Sequence, residues 1–425
     1  MKSRFVHPVG APQRLALALA LALTLTLALA TAGCLPAEEP PPPPSSLGQR
    51  IINGTPCTGA DHPSALAVII EAKLNAGAYG TFPFRTLLCT GTLIAPDVVL
   101  IAAHCLSPDL LVGGAGGMVK VTEEKYFVSS TADLTAMAAL DPAQILAGKL
   151  PDLPADAIPV SGRLANPGFS AALLAQTGSG LGNLYDSGLL FLGRAVTQIE
   201  PAIVIARGES TQLAKDKVVD IVGWGQQTAA GQNPLQPPPA GTVGLKVCGV
   251  SFINELGDHE MQVGAGPDTP RKCHGDSGGP SYATVETPAS HKVRVVGITS
   301  HAYDQTDCAK GGVDTRVDAW FDWIDQELRR ACQEQKRVWC EVPGVIPAEH
   351  YDPKLPEPAP DAARPEARPG EAAVAGTDGA VALPPAKGCG CSAPGERPER
   401  LGIVLLLSLL SLGLAVRARA RRVRG

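Results

Sequence analysis

The chain has 425 residues, with 36 Lys+Arg against 41 Asp+Glu and a formal net charge of -5. That length allows one large domain or two medium ones. The near balance of charge, with no basic block outside the two ends, leaves no electrostatic footprint for a nucleic-acid partner.

At the N-terminus Lys2, Arg4 and Arg14 precede the apolar run LALALALALTLTLALATA, which exits through small residues at ATAGC. Residues 1–33 therefore read as an export signal. Cys34 directly follows TAG and resembles the lipidated cysteine of bacterial lipoprotein signals, although Thr31 stands where those favour Leu; simple cleavage nearby is the alternative. Export makes disulfides the default for the other cysteines. The chain has 11 Cys, and setting Cys34 aside for lipid leaves an even number. None has CxxC spacing, so neither a metal nor another cofactor is expected.

Residues 34–50 hold PAEEPPPPPSS, an extended polyproline spacer. From 51 to 340 the composition turns globular. Short β-branched runs (ALAVII, VVLIAA, VVDIVGW, VRVVGIT) alternate with Gly, Pro, Asn and Asp and predict a mostly β domain. One helix is predicted in VDAWFDWIDQELRR, where Trp320, Ile324 and Leu328 recur at helical spacing and basic residues close the end. Residues 341–388 are rich in Pro, Ala, Glu and Gly with few large apolar side chains, and read as a disordered linker. Residues 389–425 combine GCGCSAPGERPER, the apolar LGIVLLLSLLSLGLAV and the basic RARARRVRG. An apolar run of about 16 residues is short for a spanning helix, and the arginines behind it would stay cytoplasmic. The tail resembles the cysteine-containing sorting segments of myxobacterial surface proteins, which are retained until a membrane protease cuts near the cysteines; a permanent anchor is the alternative. No internal repeat is present.

The most informative stretch is RKCHGDSGGP at 271–280. A serine hydroxyl is a poor nucleophile at neutral pH and needs a base, a group to orient that base, and donors for the developing oxyanion. Glycines around Ser277 permit a tight turn and leave room for substrate. GDSGG also satisfies the G-x-S-x-G pattern of α/β-hydrolases, but there the serine opens a helix, and here GGP and then SYATVE follow it.

The chain is similar to the chymotrypsin/trypsin-like serine proteases at four separated places in the right order: VVLIAAHC with His104, YDSGLLFL with Asp186, VGWG at 222–225, and CHGDSGGP with Ser277. The resemblance covers roughly Ile51 to Arg330. It implies an all-β fold of two six-stranded antiparallel barrels with a C-terminal helix, and a triad in the cleft between them. By that resemblance Ser277 attacks the scissile carbonyl, His104 takes and returns the proton, Asp186 fixes the imidazole, and the amides of Gly275 and Ser277 form the oxyanion hole. Ser300 in GITSH resembles the serine placed beside the triad aspartate. Arg50 and Ile51 in GQRIINGT resemble the activation junction, at which cleavage frees an Ile51 ammonium to pair with buried Asp276. Such a cut would also separate the domain from the lipid and spacer upstream of it.

The same resemblance implies disulfides Cys89–Cys105, Cys273–Cys308 and Cys57–Cys248, with Cys332 and Cys340 closing a small loop; MQV stands where the family often has a further cysteine. It departs most at the specificity pocket. Six residues before Ser277, where trypsin-like members carry an aspartate, stands Arg271, and in GGVDTR Asp314 replaces a common aromatic. A buried guanidinium needs a partner, and Asp314 is the candidate. Three outcomes follow: the two charges neutralise each other and leave a small polar pocket, the reading preferred here; Arg271 faces an acidic substrate residue; or Asp314 restores a basic preference. The long His104 to Asp186 spacing includes SSTADLTAMAALDPAQILAGKL, an alanine-rich insertion with helical tendency, expected at the surface near the cleft.

The reading is an exported serine endopeptidase of the cell envelope or surface, made as a zymogen. Its partners are protein or peptide substrates, an activating protease, and a membrane through the termini. A catalytically silent protease-like binding module is the competing class, favoured by the unusual Arg271.

Overall fold

The computed structural model describes residues 51–352 except 108–118, 139–143, 146, 178, 228–240, 273–274 and 305–307. All of these belong to the compact unit that starts at Gln49. Thirteen strands run in chain order: β1 (Thr55–Pro56), β2 (Ala65–Asn75), β3 (Thr81–Ala95), β4 (Val98–Ile101), β5 (Lys120–Ser129), β6 (Ile158–Ala165), β7 (Gly188–Leu192), β8 (Val218–Gly223), β9 (Val247–Leu256), β10 (Glu260–Val263), β11 (Pro280–Thr284), β12 (Val293–Ala302) and β13 (Gly312–Arg316). They form the two antiparallel barrels the sequence predicts.

The first barrel closes in the order β2-β3-β4-β7-β6-β5. Its long strand β2 begins as ALAVII, buried on both faces, and then alternates toward solvent as EAKLN. It pairs with β3 on one side and β5 on the other, and a bulge in each pairing bends the sheet enough to close. VVLI of β4 and GLLFL of β7 are fully buried and pair with Ile101 opposite Gly188. In the second barrel the order is β9-β10-β13-β12-β11-β8, closed by pairing of β8 with β9, while β1 is added at the side of β9.

The helix forms at Phe321–Gln333, after a 3-10 turn at Asp318–Trp320, and buries Ile324, Leu328 and Ala331 on one face. It starts later and ends later than its sequence pattern predicts, because the 3-10 turn takes the segment holding Trp320. The packed chain also continues past Cys340. Val345, Ile346 and Ala348 are buried, so residues 341–352 are not the linker expected there. What anchors this stretch is a buried pair: Arg337 donates to Asp97 Oδ1 (Nη2 at 2.8 Å), while the amides of Val338 and Trp339 donate to Oδ2, each at 2.9 Å. Cys332 and Cys340 are bonded beside it. Within the described part of the alanine-rich insertion, Thr135–Ala138 is an α-helix. Leu134 and Met137 are buried, and Asp156 gathers the hydroxyls of Ser129, Ser130 and Thr131. The first half of the insertion is therefore pinned to the barrel, while residues 144 and 147–149 lie exposed at the surface, where the sequence places the insertion. Among the described residues no helix is long and apolar enough to cross a membrane.

Two predictions follow from the buried charges. Arg337→Met leaves the Asp97 carboxylate without its cation, and urea unfolding should show a loss of about 3–5 kcal/mol. Lys246 is 1% exposed, lies over the Trp224 ring, and donates to the carbonyls of Asp61 (2.6 Å) and His62 (3.1 Å). Burial, opposed by Asp61, brings its ammonium down to about 8 from the ordinary 10.5. Between these values the unfolded chain holds more protons than the folded one, so this residue's contribution to stability should rise with pH across that window. Unfolding of wild type and Lys246→Met at both ends of the window should show a larger rise in wild type than in the variant.

Candidate active site

The antiparallel register of β4 and β7 sets the exit of one strand against the entry of the other. The turn after β4, Ala103–Leu106, carries His104, and the residues entering β7 carry Asp186. Two side chains distant in sequence therefore meet. His104 Nδ1 lies 2.7 Å from Asp186 Oδ2, and the His104 amide donates to Oδ1 at 2.8 Å. With Nδ1–H engaged by the carboxylate, Nε2 of the neutral ring is left as the acceptor. Nε2 lies 3.7 Å from Cys105 Sγ, and Cys105 is bonded to Cys89, so neither sulfur is a thiolate ligand.

Asp186 is completely buried. The Ser300 hydroxyl donates to its Oδ2 at 2.6 Å, and Thr315 Oγ1 donates to its main-chain carbonyl at 3.1 Å. Ser300 reaches it from the second barrel through a bulge: Thr299 pairs with Asp314 and His301 with Val313, which leaves Ser300 unpaired between them and re-aimed. Burial would raise the Asp186 carboxyl, but the positive charge that His104 carries when protonated and the hydrogen bonds from His104 and Ser300 outweigh it and hold the group below the usual range.

Ser277 is half-buried, in a loop gripped from both barrels. Its carbonyl accepts from Thr90 of β3 at 2.8 Å, the Gly278 amide donates to Thr299 at 2.7 Å, and the Gly279 amide donates to Asp276 at 2.9 Å. Gly278 has φ +78, and a Cβ there would stand 2.3 Å from the Thr90 carbonyl and 3.1 Å from the Ala102 nitrogen. Only glycine lets the loop approach this closely, and Ala102 is two residues from His104. Gly275 has φ +93. Asp276 is buried, its Oδ1 accepting from the Gly225 amide at 2.8 Å. The glycines of VGWG make room for it: a Cβ at Gly225 would lie 2.4 Å from the Asp276 nitrogen.

Ile51 and Ile52 are buried, at 1% and 5% exposure. Ile52 bridges to Arg271, whose amide donates to its carbonyl at 3.0 Å. The Arg271 guanidinium donates to the carbonyls of Gly266 (3.2 Å), Pro267 (2.8 Å) and Thr269 (3.4 Å), and Asn53 Nδ2 reaches the Thr269 carbonyl at 3.2 Å. Arg271 thus does not pair with Asp314, contrary to the expectation from sequence. It closes a loop onto the segment after Arg50, and main-chain carbonyls take the place of the carboxylate. Asp314 is instead paired with the next residue, Lys272, at 2.8 and 3.0 Å.

Cys57–Cys248 and Cys89–Cys105 are bonded. Cys273 and the side chain of Cys308, with Arg50, Cys34 and the whole C-terminal tail, lie outside the described residues.

Sequence reasoning missed Glu260. This buried carboxylate on β10 accepts from the amides of Gly182 (2.6 Å) and Leu184 (2.8 Å) and so clamps the loop that delivers Asp186. That loop needs a clamp, because Asn183 and Tyr185 both sit at positive φ, 51 and 56. Tyr185 is held further by contact with His259 and Trp320. The only available signal was an acid in DHEMQV, two residues from Asp258, and acids in such positions are usually solvated.

A protein-family model described as Trypsin matches residues 170–324, which include Asp186, Ser277 and Ser300 but not His104. A trypsin of Phaedon cochleariae is 30% identical over 135 residues, 30% of this chain and 48% of that protein. Chymotrypsin-like elastase family member 1 of Macaca fascicularis is 31% identical over 150 residues, covering 34% and 55%. Chymotrypsin-like elastase family member 3B of Homo sapiens is 28% identical over 296 residues, covering 67% and 91%. The chain thus spans about half the length of the first two relatives and most of the third.

Glu260→Ala should orphan two amides, lower stability by about 2–4 kcal/mol, and speed hydrogen exchange at Gly182 and Leu184. Exchange mass spectrometry with chemical denaturation checks this; unchanged exchange at those amides would contradict the clamp.

Proposed function

We propose that the chain carries a trypsin-like serine protease domain and is a serine endopeptidase acting through His104, Asp186 and Ser277 and made as a zymogen, a reading supported by its likeness to trypsin-like proteases. The observation that carries this reading is the buried Asp186 carboxylate, which engages Nδ1 of His104 and leaves Nε2 as the ring's acceptor, while the Ser277 loop packs against Ala102, two residues before His104. Ser277 Oγ attacks the carbonyl carbon of the scissile bond as His104 Nε2 takes its proton. The amides of Gly275 and Ser277 donate to the oxyanion, and the imidazolium returns its proton to the leaving amine. Water then repeats the sequence on the acyl-enzyme. Asp186 stays ionised throughout, in keeping with its lowered pKa.

Cleavage after Arg50 frees the Ile51 amine. The burial of Ile51 and of Asp276, with Asp276 directly before the nucleophile, supports pairing of that amine with the carboxylate. Removal of the signal and spacer at this cut, a linker after the packed residues, and a C-terminal sorting or anchor segment complete the proposed organisation, with the domain exported and held at the cell envelope until processed. The three disulfides among the described residues are consistent with export. A catalytically silent binding module is the alternative reading, and the engagement of Arg271 with main-chain carbonyls adds no support to it.

A fluorophosphonate should label the protein after Arg50 cleavage, with Ile51 as the new N-terminus. Ser277→Ala should not be labelled and should lose about 10^4-fold or more in peptide hydrolysis. A folded, cleaved wild type that resists the probe would overturn the proposal.

A further inference from the structure

Lys272 and Asp314 form an ion pair whose side chains are both 0% exposed, and the sequence pattern did not point to it. The pair lies directly behind the Ser277 loop. Lys272 is five residues before Ser277, and its third partner, Ser281, is four residues after it on β11. Asp314 is the cross-strand partner of Thr299, which itself receives the Gly278 amide and neighbours Ser300. The chain entering the nucleophile, the chain leaving it and strand β13 thus converge on this one pair.

Its hydrogen bonding is closed. Lys272 Nζ donates to Asp314 Oδ1 (3.0 Å), Asp314 Oδ2 (2.8 Å) and Ser281 Oγ (2.9 Å), which uses all three of its protons. The Ser281 hydroxyl donates to Asp314 Oδ2 at 2.6 Å. Burial pushes the Lys272 ammonium below the ordinary lysine range, and Asp314 pulls it back. A carboxylate so engaged has no charge to offer a cation, and the ammonium beside it has no donor left for an anion.

We propose that Lys272 masks Asp314, and that the pair selects small, uncharged side chains at the substrate residue whose carbonyl Ser277 attacks. The inference rests on the peptidase reading for its substrate but not for the masking itself. Without Lys272, Asp314 becomes an uncompensated buried acid, a costly state that a bound cation would relieve.

The test uses two readouts on the protein cleaved after Arg50. Fluorescence titration with p-aminobenzamidine, a small aromatic amidinium, reads an unmasked carboxylate without turnover. Wild type should show no saturable binding, Lys272→Ala should bind at least tenfold more tightly, and Lys272→Ala/Asp314→Asn should lose that gain. Equal binding by folded wild type and Lys272→Ala would overturn the masking. Peptide-library profiling should show wild type cutting after Ala, Ser or Val at least tenfold faster than after Arg or Lys, with Lys272→Ala reversing the order. Should Lys272→Ala fail to fold, the wild-type profile decides alone, and dominant cleavage after Arg or Lys refutes the proposal. Amidine binding gained in Lys272→Ala, with no hydrolysis by any form, would uphold the masking and count against the peptidase reading instead.

Discussion

A carboxylate with no exposed surface is costly unless its partners are already in place, and Asp186 is such a group. The residue is held from three separate segments: the turn after β4 and the bulge in β12, which reach its carboxylate, and the hydroxyl of Thr315 on β13, which reaches its main-chain carbonyl. The first belongs to one barrel and the other two to the second. A single buried charge therefore demands that both barrels be complete and correctly docked before it is satisfied. The same demand fixes the imidazole of His104, because the carboxylate holds both its ring and its main-chain amide. Folding and preorganisation of the site are in this sense one event.

Other buried charges repeat the arrangement at a smaller scale, each tying down a segment that its local sequence would leave free. Glu260 holds the strained loop ahead of Asp186, and Asp276 holds the turn of the nucleophile against Gly225. Asp97 draws the chain after the helix back to the β3–β4 turn of the first barrel through Arg337. Arg271 joins the 266–269 loop to the residues that follow the activation junction. Lys272, its neighbour, faces the opposite demand and is neutralised by Asp314. Two adjacent cations thus serve different ends, and the polar groups within reach of each decide which.

Much of the fold was legible because its signals are local. VVLI, GLLFL and VVDIVG are apolar runs of strand length, and each forms a strand. His104, Asp186, Ser277 and Ser300 stood out because glycines, small residues and β-branched runs flank them in recognisable order. What stayed hidden depends on partners far along the chain. Nothing around Glu260, Asp97 or Arg337 marks them as buried, since burial of a charge is a property of what packs against it. The choice between Arg271 and Lys272 as the partner of Asp314 turns on a one-residue difference in side-chain direction along an extended segment, which composition cannot report. The chain past Cys340 was misjudged for a related reason: its few apolar residues, Val345, Ile346 and Ala348, suffice because an ion pair and a disulfide already hold it.

The central claim is that Asp186, by holding the His104 imidazole, makes Ser277 a nucleophile. Its most direct test is the rate at which activated wild type and Asp186→Asn are acylated by an activated ester, with circular dichroism showing both folded. A fall of about 10^4-fold in the variant, the size known for serine–histidine–aspartate triads, is the result this account predicts. A variant that acylates within tenfold of wild type would contradict it.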